Sequence, residues 1–249
     1  MSGISRDRAV ILKSFDYSES SIIATALTKY HGKVSLLAKG ARKAGSQFYG
    51  CLRTGNTAEI LFYEKEQRSL QLLKEIADIH AFDSKSGCLE SICIFQAGLE
   101  VVDRAVVDAG TDGGLFDLLE EFILSLDRCK DPWTLFFALE ARMLGFGGVF
   151  PAMDECSKCK KSLAGSGITI NPSSGYVSCP ECGEAGISLS SQSAGLLREM
   201  IESGTGGLAE TKLDRVIRQE IGRVLHRFFV FHVEGYRLPN ALKILKGVE

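Results

Sequence analysis

A chain of 249 residues, 45% hydrophobic and 24% charged, has the composition of a globular protein of one large domain or two to three smaller ones. A formal net charge of −2 and a pI near 6.1 exclude a uniformly basic nucleic-acid binder. No apolar run is long enough to span a bilayer, since the most apolar stretch, Trp133 to Pro151, is broken by Glu140 and Arg142, and the charged first eight residues lead into no apolar leader.

Residues 1–80 read as β-structure. Short apolar runs at Arg8 to Ser14, Ser20 to Thr28, Lys33 to Ala38, Ala58 to Tyr63 and Ser69 to Ile76 are separated by turn-prone segments such as Asp16-Tyr17-Ser18-Glu19 and His31-Gly32. Five short strands with one longer connection, between the third and fourth, predict a small closed barrel of the OB type. The third strand runs into Lys39-Gly40-Ala41-Arg42-Lys43-Ala44-Gly45-Ser46, a basic tip able to approach phosphates with side chains and backbone amides together. Barrels of this type hold single strands through a basic groove and aromatic platforms. Phe15, Tyr17, Tyr30, Phe48 and Tyr49 lie in the same region, and each is open to three readings: a stacking platform, core, or an ordinary surface aromatic.

From about residue 83 the period becomes helical. Helices are expected over Ser84 to Val107, Gly114 to Asp127, Pro132 to Gly145, Ser191 to Ser203 and Leu208 to Glu234. Asp131-Pro132 is a start signal, an N-cap followed by proline at the first helical position. In the last helix Leu213, Val216, Ile217, Ile221, Val224, Leu225, Phe228 and Phe229 recur at three- and four-residue steps and form a core stripe. The fold class is therefore α+β and multidomain: an OB-type barrel over 1–80, then a helical domain over 81–249 with an insertion at about 154–187.

That insertion carries Cys156, Cys159, Cys179 and Cys182, a C-x2-C … C-x2-C array with the spacing of a four-thiolate zinc site. Four protein ligands leave no open position for water or substrate, so one structural Zn2+ is expected and no catalytic metal. Gly183 lets the backbone turn beneath the second pair. Asn171-Pro172-Ser173-Ser174-Gly175-Tyr176 reads as a turn between short strands at Gly167 to Ile170 and Gly175 to Ser178. Two disulfides compete for the same residues, and redox work by one C-x-x-C would need a thioredoxin-like βαβ setting that is absent. Cys51, Cys88, Cys93 and Cys129 sit among apolar neighbours and read as buried thiols. Free thiols beside thiolate zinc point to a reducing, cytoplasmic compartment.

Charge is unevenly spread. Residues 1–80 hold twelve Lys/Arg against eight Asp/Glu, residues 81–150 five against twelve, residues 151–190 three against four, and residues 191–249 nine against seven. The first segment is basic and the second acidic, and the acidic one reads as solvated helix surface. No H-E-x-x-H, G-x-S-x-G or G-x-x-x-x-G-K-[ST] occurs, and His31, His80, His226 and His232 are dispersed, so no enzyme site is expected.

The segment Ile11 to Ser20, then His31-Gly32-Lys33, then Ala38-Lys39-Gly40-Ala41-Arg42-Lys43, resembles the N-terminal signature of the bacterial RecO recombination mediators. The order of barrel, helical domain and inserted four-cysteine element is similar too. The resemblance implies a non-enzymatic DNA repair and recombination protein that binds single- and double-stranded DNA and anneals complementary strands. With RecR and single-stranded-DNA-binding protein (SSB), it would promote loading of RecA. It implies phosphate contacts by Lys33, Lys39, Arg42 and Lys43, zinc ligation by the four cysteines, and a helical-domain site for the acidic, apolar-tipped SSB C-terminal tail. It also implies a nucleoid-associated protein of the cytoplasm, with no membrane partner. Arg215, Arg218, Arg223 and Arg227 on the last long helix are positioned to edge such a groove, and equally read as surface charges. A zinc-ribbon regulatory module that binds nucleic acid without annealing it remains the alternative.

Overall fold

The computed structural model describes residues 3–65, 68–81, 88–106, 113–183, 185–203 and 205–246. Five strands, β1 (Gly3–Asp16), β2 (Ile22–Thr28), β3 (Lys33–Ala38), β4 (Thr57–Glu64) and β5 (Leu70–His80), close into a barrel in the order β1-β2-β3-β5-β4. Neighbours are antiparallel except β3 and β5, which run parallel with Leu36 opposite Gln71 and Leu37 opposite Leu72. This is the five-stranded OB arrangement.

Strict alternation builds it. Ala24 and Ala26 on β2, Leu36 and Ala38 on β3, Ile60 and Phe62 on β4 and Leu73 on β5 all point inward. The alanines leave room for Phe62, which is 1% exposed. The barrel needs one long strand: Gly3 to Val10 pair with β4, and Ala9 to Asp16 pair with β2. A bulge between Ile11 and Lys13 bends β1 from one partner to the other. β1 starts earlier than its apolar run because Gly3 to Asp7 gain ladder bonds to β4 without presenting an apolar face. The long β3–β4 connection is not a solvated loop, since it delivers Ala41, Phe48 and Leu52 to the core.

By packing, the chain forms two compact units, Met1–Gly87 with Gly98–Asp127, and Cys88–Ala97 with Arg128–Glu249. Secondary structure and packing thus divide the chain at different places. The reason lies on the outer face of β1, where Val10 and Leu12 are as buried as the barrel interior. Helix α2 (Gly114–Leu126) packs on β1 and brings Phe116, Leu119 and Phe122, all buried. Helix α1 (Leu89–Ala105) contributes its C-terminal part to this unit and its N-terminal part to the other. The ends expected for that helix, at Ser84 and Val107, lie outside the described residues.

In the second unit α3 (Pro132–Phe146) is central and buried from Leu135 to Ala141 without a break. The Asp131 side chain accepts the Trp133 amide at 3.0 Å and caps α3, and its other oxygen takes the Leu213 amide at 2.9 Å. Strands β6 (Ile168–Asn171), β7 (Tyr176–Ser178) and β8 (Ile187–Leu189) form a small sheet in the order β7-β6-β8. Helix α4 (Ser191–Glu202) follows, then a 3₁₀ turn at Thr205–Leu208, α5 (Arg215–His232) and α6 (Asn240–Lys246). The expected helix from Leu208 begins only at Arg215, because the Asp214 side chain accepts the Ile217 amide at 2.9 Å and starts a new helix there. α5 packs on α3, and Gly222 makes this possible: a Cβ there would lie 3.1 Å from Phe137 Cζ.

Candidate metal centre and nucleic-acid interface

The four expected thiols converge. Cys156, Cys159, Cys179 and Cys182 place their sulfurs within 4.8 Å of one another, and none is in a disulfide. The Cys159–Cys179 separation is 3.8 Å. A tetrahedron of sulfurs about 2.3 Å from a central ion has edges of about 3.8 Å, so the cluster has the dimensions of a four-thiolate metal site.

Backbone turns aim the sulfurs. Lys160 N donates to Cys156 O at 2.9 Å with Lys160 at φ 62°, and Cys182 N donates to Cys179 O at 3.1 Å with Gly183 at φ 41°. The sheet locks the two pairs together: Ser157 N reaches Val177 O at 2.8 Å, and Val177 N reaches Ser157 Oγ at 3.1 Å. Asn171 Oδ1 accepts from the Ser173 and Ser174 amides and shapes the expected β6–β7 turn. Electrostatics favour a cation. The Cys159 amide, then the Cys179 amide, hold the Cys156 thiol down at about 6. Hydrogen bonds to Cys159 and Cys179, with burial, push Cys182 up to about 12. Four thiolates gathered this closely are stable only around positive charge, which a metal ion supplies. Among the remaining cysteines, Cys93 is buried as expected. Cys51 and Cys129 are half-buried and Cys88 is exposed, because Cys88 precedes the first turn of α1 and does not sit on its packed face.

The barrel cations fall into two groups. Of the twelve in residues 1–80, seven are ion-paired. Asp103 holds Lys13 at 2.8 Å and takes Lys33 on its carbonyl at 2.6 Å, and Asp117 holds Lys29 at 2.8 Å. Glu120 holds Arg8. The acidic segment is therefore not simply solvated: within the first unit its carboxylates neutralise barrel cations. Arg42 is tied too, donating to Ser18 O at 2.8 Å and meeting Asp16 at 3.1 Å. Lys39, Lys43, Arg53, Lys65 and Arg68 face no carboxylate among the described residues. Two of the four expected phosphate contacts, Lys39 and Lys43, are thus exposed and uncommitted, while Lys33 and Arg42 already have protein partners. Phe15, Tyr17, Tyr30 and Tyr49 are exposed, whereas Phe48 is 7% exposed and belongs to the core.

The second unit holds a cavity of about 350 Å³ with apolar side chains of α3 and α6 on one side, among them Trp133, Phe137, Leu242 and Leu245, and the polar face of α5 on the other. Arg218 and Arg223 stand at it, while Arg215 and Arg227 do not line it. Arg218 lies over the Trp133 ring at 5.2 Å and reaches Glu90 at 3.2 Å and Asp131 at 3.4 Å. Glu140, 3% exposed, is also in the wall, where burial pushes its carboxyl up to about 8 against a hydrogen bond from Tyr236. Sequence reading missed α6 and with it one apolar wall of this cavity. The available signal was Leu242 and Leu245, three apart after Pro239-Asn240. Among the described residues no helix is long and apolar enough to cross a membrane.

Sequence comparisons agree over nearly the whole chain. Residues 1–82 match the profile described as "Recombination protein O N terminal", and residues 89–241 match "Recombination protein O C terminal". Similar proteins include the DNA repair protein RecO of Geobacter metallireducens, 27% identical with 98% of both chains covered. That of Desulfatibacillum aliphaticivorans is 27% identical over 96% of this chain and 95% of its own. That of Moorella thermoacetica is 25% identical over 94% of this chain and 88% of its own.

Proposed function

Since the chain belongs to the recombination protein O (RecO) family, we propose that it serves DNA repair and recombination as a strand-handling protein with no catalytic step of its own. It binds single- and double-stranded DNA on the barrel and anneals complementary strands, and with RecR and SSB it promotes loading of RecA, in the cytoplasm at the nucleoid. The observation that supports this reading is the pair Lys39 and Lys43, exposed and without acidic partners among the described residues, on a loop at the mouth of a closed OB barrel.

Annealing asks little of the protein. Two polyanionic strands repel, and cations on a surface lower that cost. Contacts to the backbone hold a strand without reading it and leave the base edges open to a complementary strand. Lys39 and Lys43 make those contacts. Arg42 acts through the loop it fixes, and Lys33 stays with Asp103 at the base of the same strand. The metal is one Zn2+, which four thiolates select and which supplies structure only. The SSB tail, acidic with an apolar tip, fits the 350 Å³ cavity: apolar side chains take the tip and Arg223 meets its carboxylates, with Arg218 joining if it exchanges Glu90 and Asp131 for them.

The test is annealing of two labelled complementary oligonucleotides, followed by energy transfer across a salt series, with and without SSB. Lys39→Glu with Lys43→Glu should abolish acceleration while leaving the fold intact. Wild-type protein that gives no acceleration at low salt would overturn the annealing reading.

A further inference from the structure

Glu140 has no part in the strand-handling reading, yet it sits where a ligand would. It lies in the middle of α3, is 3% exposed and lines the 350 Å³ cavity. Its neighbours Leu139 and Ala141 are fully buried. A carboxyl with so little contact with water is costly, and such groups gather at sites that use them.

No cation is spent on it. Across the cavity on α5, Arg218 is held by Glu90 of α1 at 3.2 Å and by Asp131 at 3.4 Å. Arg223 stands exposed at the same cavity. His226, also on α5, packs its ring against Tyr236 at 5.7 Å. On α3 itself Arg142 faces the Phe146 ring at 5.9 Å. From α4, Arg198 donates to the carbonyls of Met153 and Leu163. α6 adds only Leu242 and Leu245 to the wall. No ion pair to Glu140 occurs among the described residues. Burial therefore decides its state, pushing the carboxyl up to about 8 against the hydrogen bond from Tyr236. At neutral pH the cavity wall holds a neutral acid, whose own proton remains for a ligand's oxygen. A neutral acid in an apolar wall can face an anion, as a carboxylate there cannot.

We propose that Glu140 is the specificity-determining group of this cavity: as a neutral acid it donates a hydrogen bond to a carboxylate of an acidic, apolar-tipped peptide, and as a carboxylate it expels that peptide. The inference rests on the reading that the cavity takes such a tail, and it adds a second hold on the tail's charge. α5 supplies the cation Arg223 and α3 supplies the acid, so one carboxylate is met from two helices.

The experiment is fluorescence anisotropy of the full chain with a rhodamine-labelled peptide of four aspartates followed by leucine and phenylalanine, at constant ionic strength across neutral and alkaline pH. Affinity should fall about tenfold between pH 7 and pH 9, as the fraction of protein holding the acid falls. Glu140→Gln has no proton to lose and should bind equally at the two pH values. Tyr236→Phe removes a bond that favours the carboxylate, so the fall should move to higher pH. His226→Gln should leave the fall in place, which separates the imidazole from the acid. Chemical-denaturation midpoints at each pH show whether each variant is folded where it is measured. A level profile for the parent, or a fall shared equally by Glu140→Gln, would overturn the role of Glu140 and leave the cavity reading standing. Peptide affinity unchanged in Arg223→Glu would overturn the cavity reading and the role of Glu140 with it.

Discussion

Each barrel strand is held on both sides by a neighbour, and the side chains inside the ring need only be apolar and of the right size, as with Ala24, Ala26 and Phe62. The sheet of the metal insertion has no such closure: β6, β7 and β8 are strands of three or four residues in an open row. These strands bury Ile168, Ile170, Val177 and Leu189, but each is too short to hold its place by its own ladder, and four sulfurs within 4.8 Å of one another offer a metal staple beside that small core. A closed ring spreads its stability over many residues, while a metal held by the four cysteines would concentrate it in four. The two regions should therefore respond to damage in opposite ways.

The largest effect follows from removing part of the staple. Cys156→Ser with Cys159→Ser should lose the bound metal and destabilise the second unit by on the order of 5 kcal/mol, leaving the barrel's own transition unmoved. Metal analysis beside thermal melts of the full chain would show it. A variant free of metal with an unchanged melt would break the comparison.

A smaller effect separates the units by pH. Burial raises the Glu140 carboxyl to about 8 in the folded state, from an ordinary value of 4.5. The folded state thus holds a proton that the unfolded chain releases between these values. Stability is highest below about pH 4.5 for this group, falls as pH rises through the interval, and levels off above about 8. At pH 7 the cost is on the order of 3 kcal/mol. Glu140→Gln should match the parent near pH 4.5 and exceed it at pH 8 in chemical-denaturation midpoints. Parallel pH profiles for the two proteins would show that Glu140 carries no such linkage.

The smallest effect tests the division among barrel cations. Lys13→Ala should cost up to about 1 kcal/mol of stability, the worth of an exposed ion pair, and leave DNA affinity at moderate salt nearly unchanged. Lys39→Ala should do the reverse. Equal losses of DNA affinity from both would mean that Asp103 does not keep Lys13 from the strand.

What the sequence made legible follows the range of the interactions involved. Short apolar runs bounded by turn-prone segments revealed all five barrel strands, and β3 has the ends its run implies, because both signals are local. The cysteine spacing revealed the metal site for the same reason, since each pair is set by one turn. Ion pairing was not legible. Arg8 and Glu120 are 112 positions apart and Lys33 and Asp103 are 70 apart, so only the packing of α1 and α2 on the barrel unit reveals which cations are neutralised. The early start given to α5 shows a subtler difficulty. Leu208 and Leu213 belong to the core and so extend an apolar stripe, but they reach it from a 3₁₀ turn and an extended segment that Asp214 ends with a cap. β8, at three residues, is too short to show a period, and α6 offers little more than the single step from Leu242 to Leu245.

Arg42 joins two loops that the chain order keeps apart. Its amide donates to Ser20 O at 3.1 Å, and its guanidinium to Ser18 O and Asp16, so the turn bearing Tyr17 is strapped to the loop bearing Lys39 and Lys43. On the proposed strand-binding reading, the freedom of both loops is surrendered during folding, before any strand arrives. Encounter then requires little further ordering, and association should be limited by diffusion and charge instead of by loop rearrangement. Loosening the strap with Arg42→Ala would therefore appear first as a slower association rate.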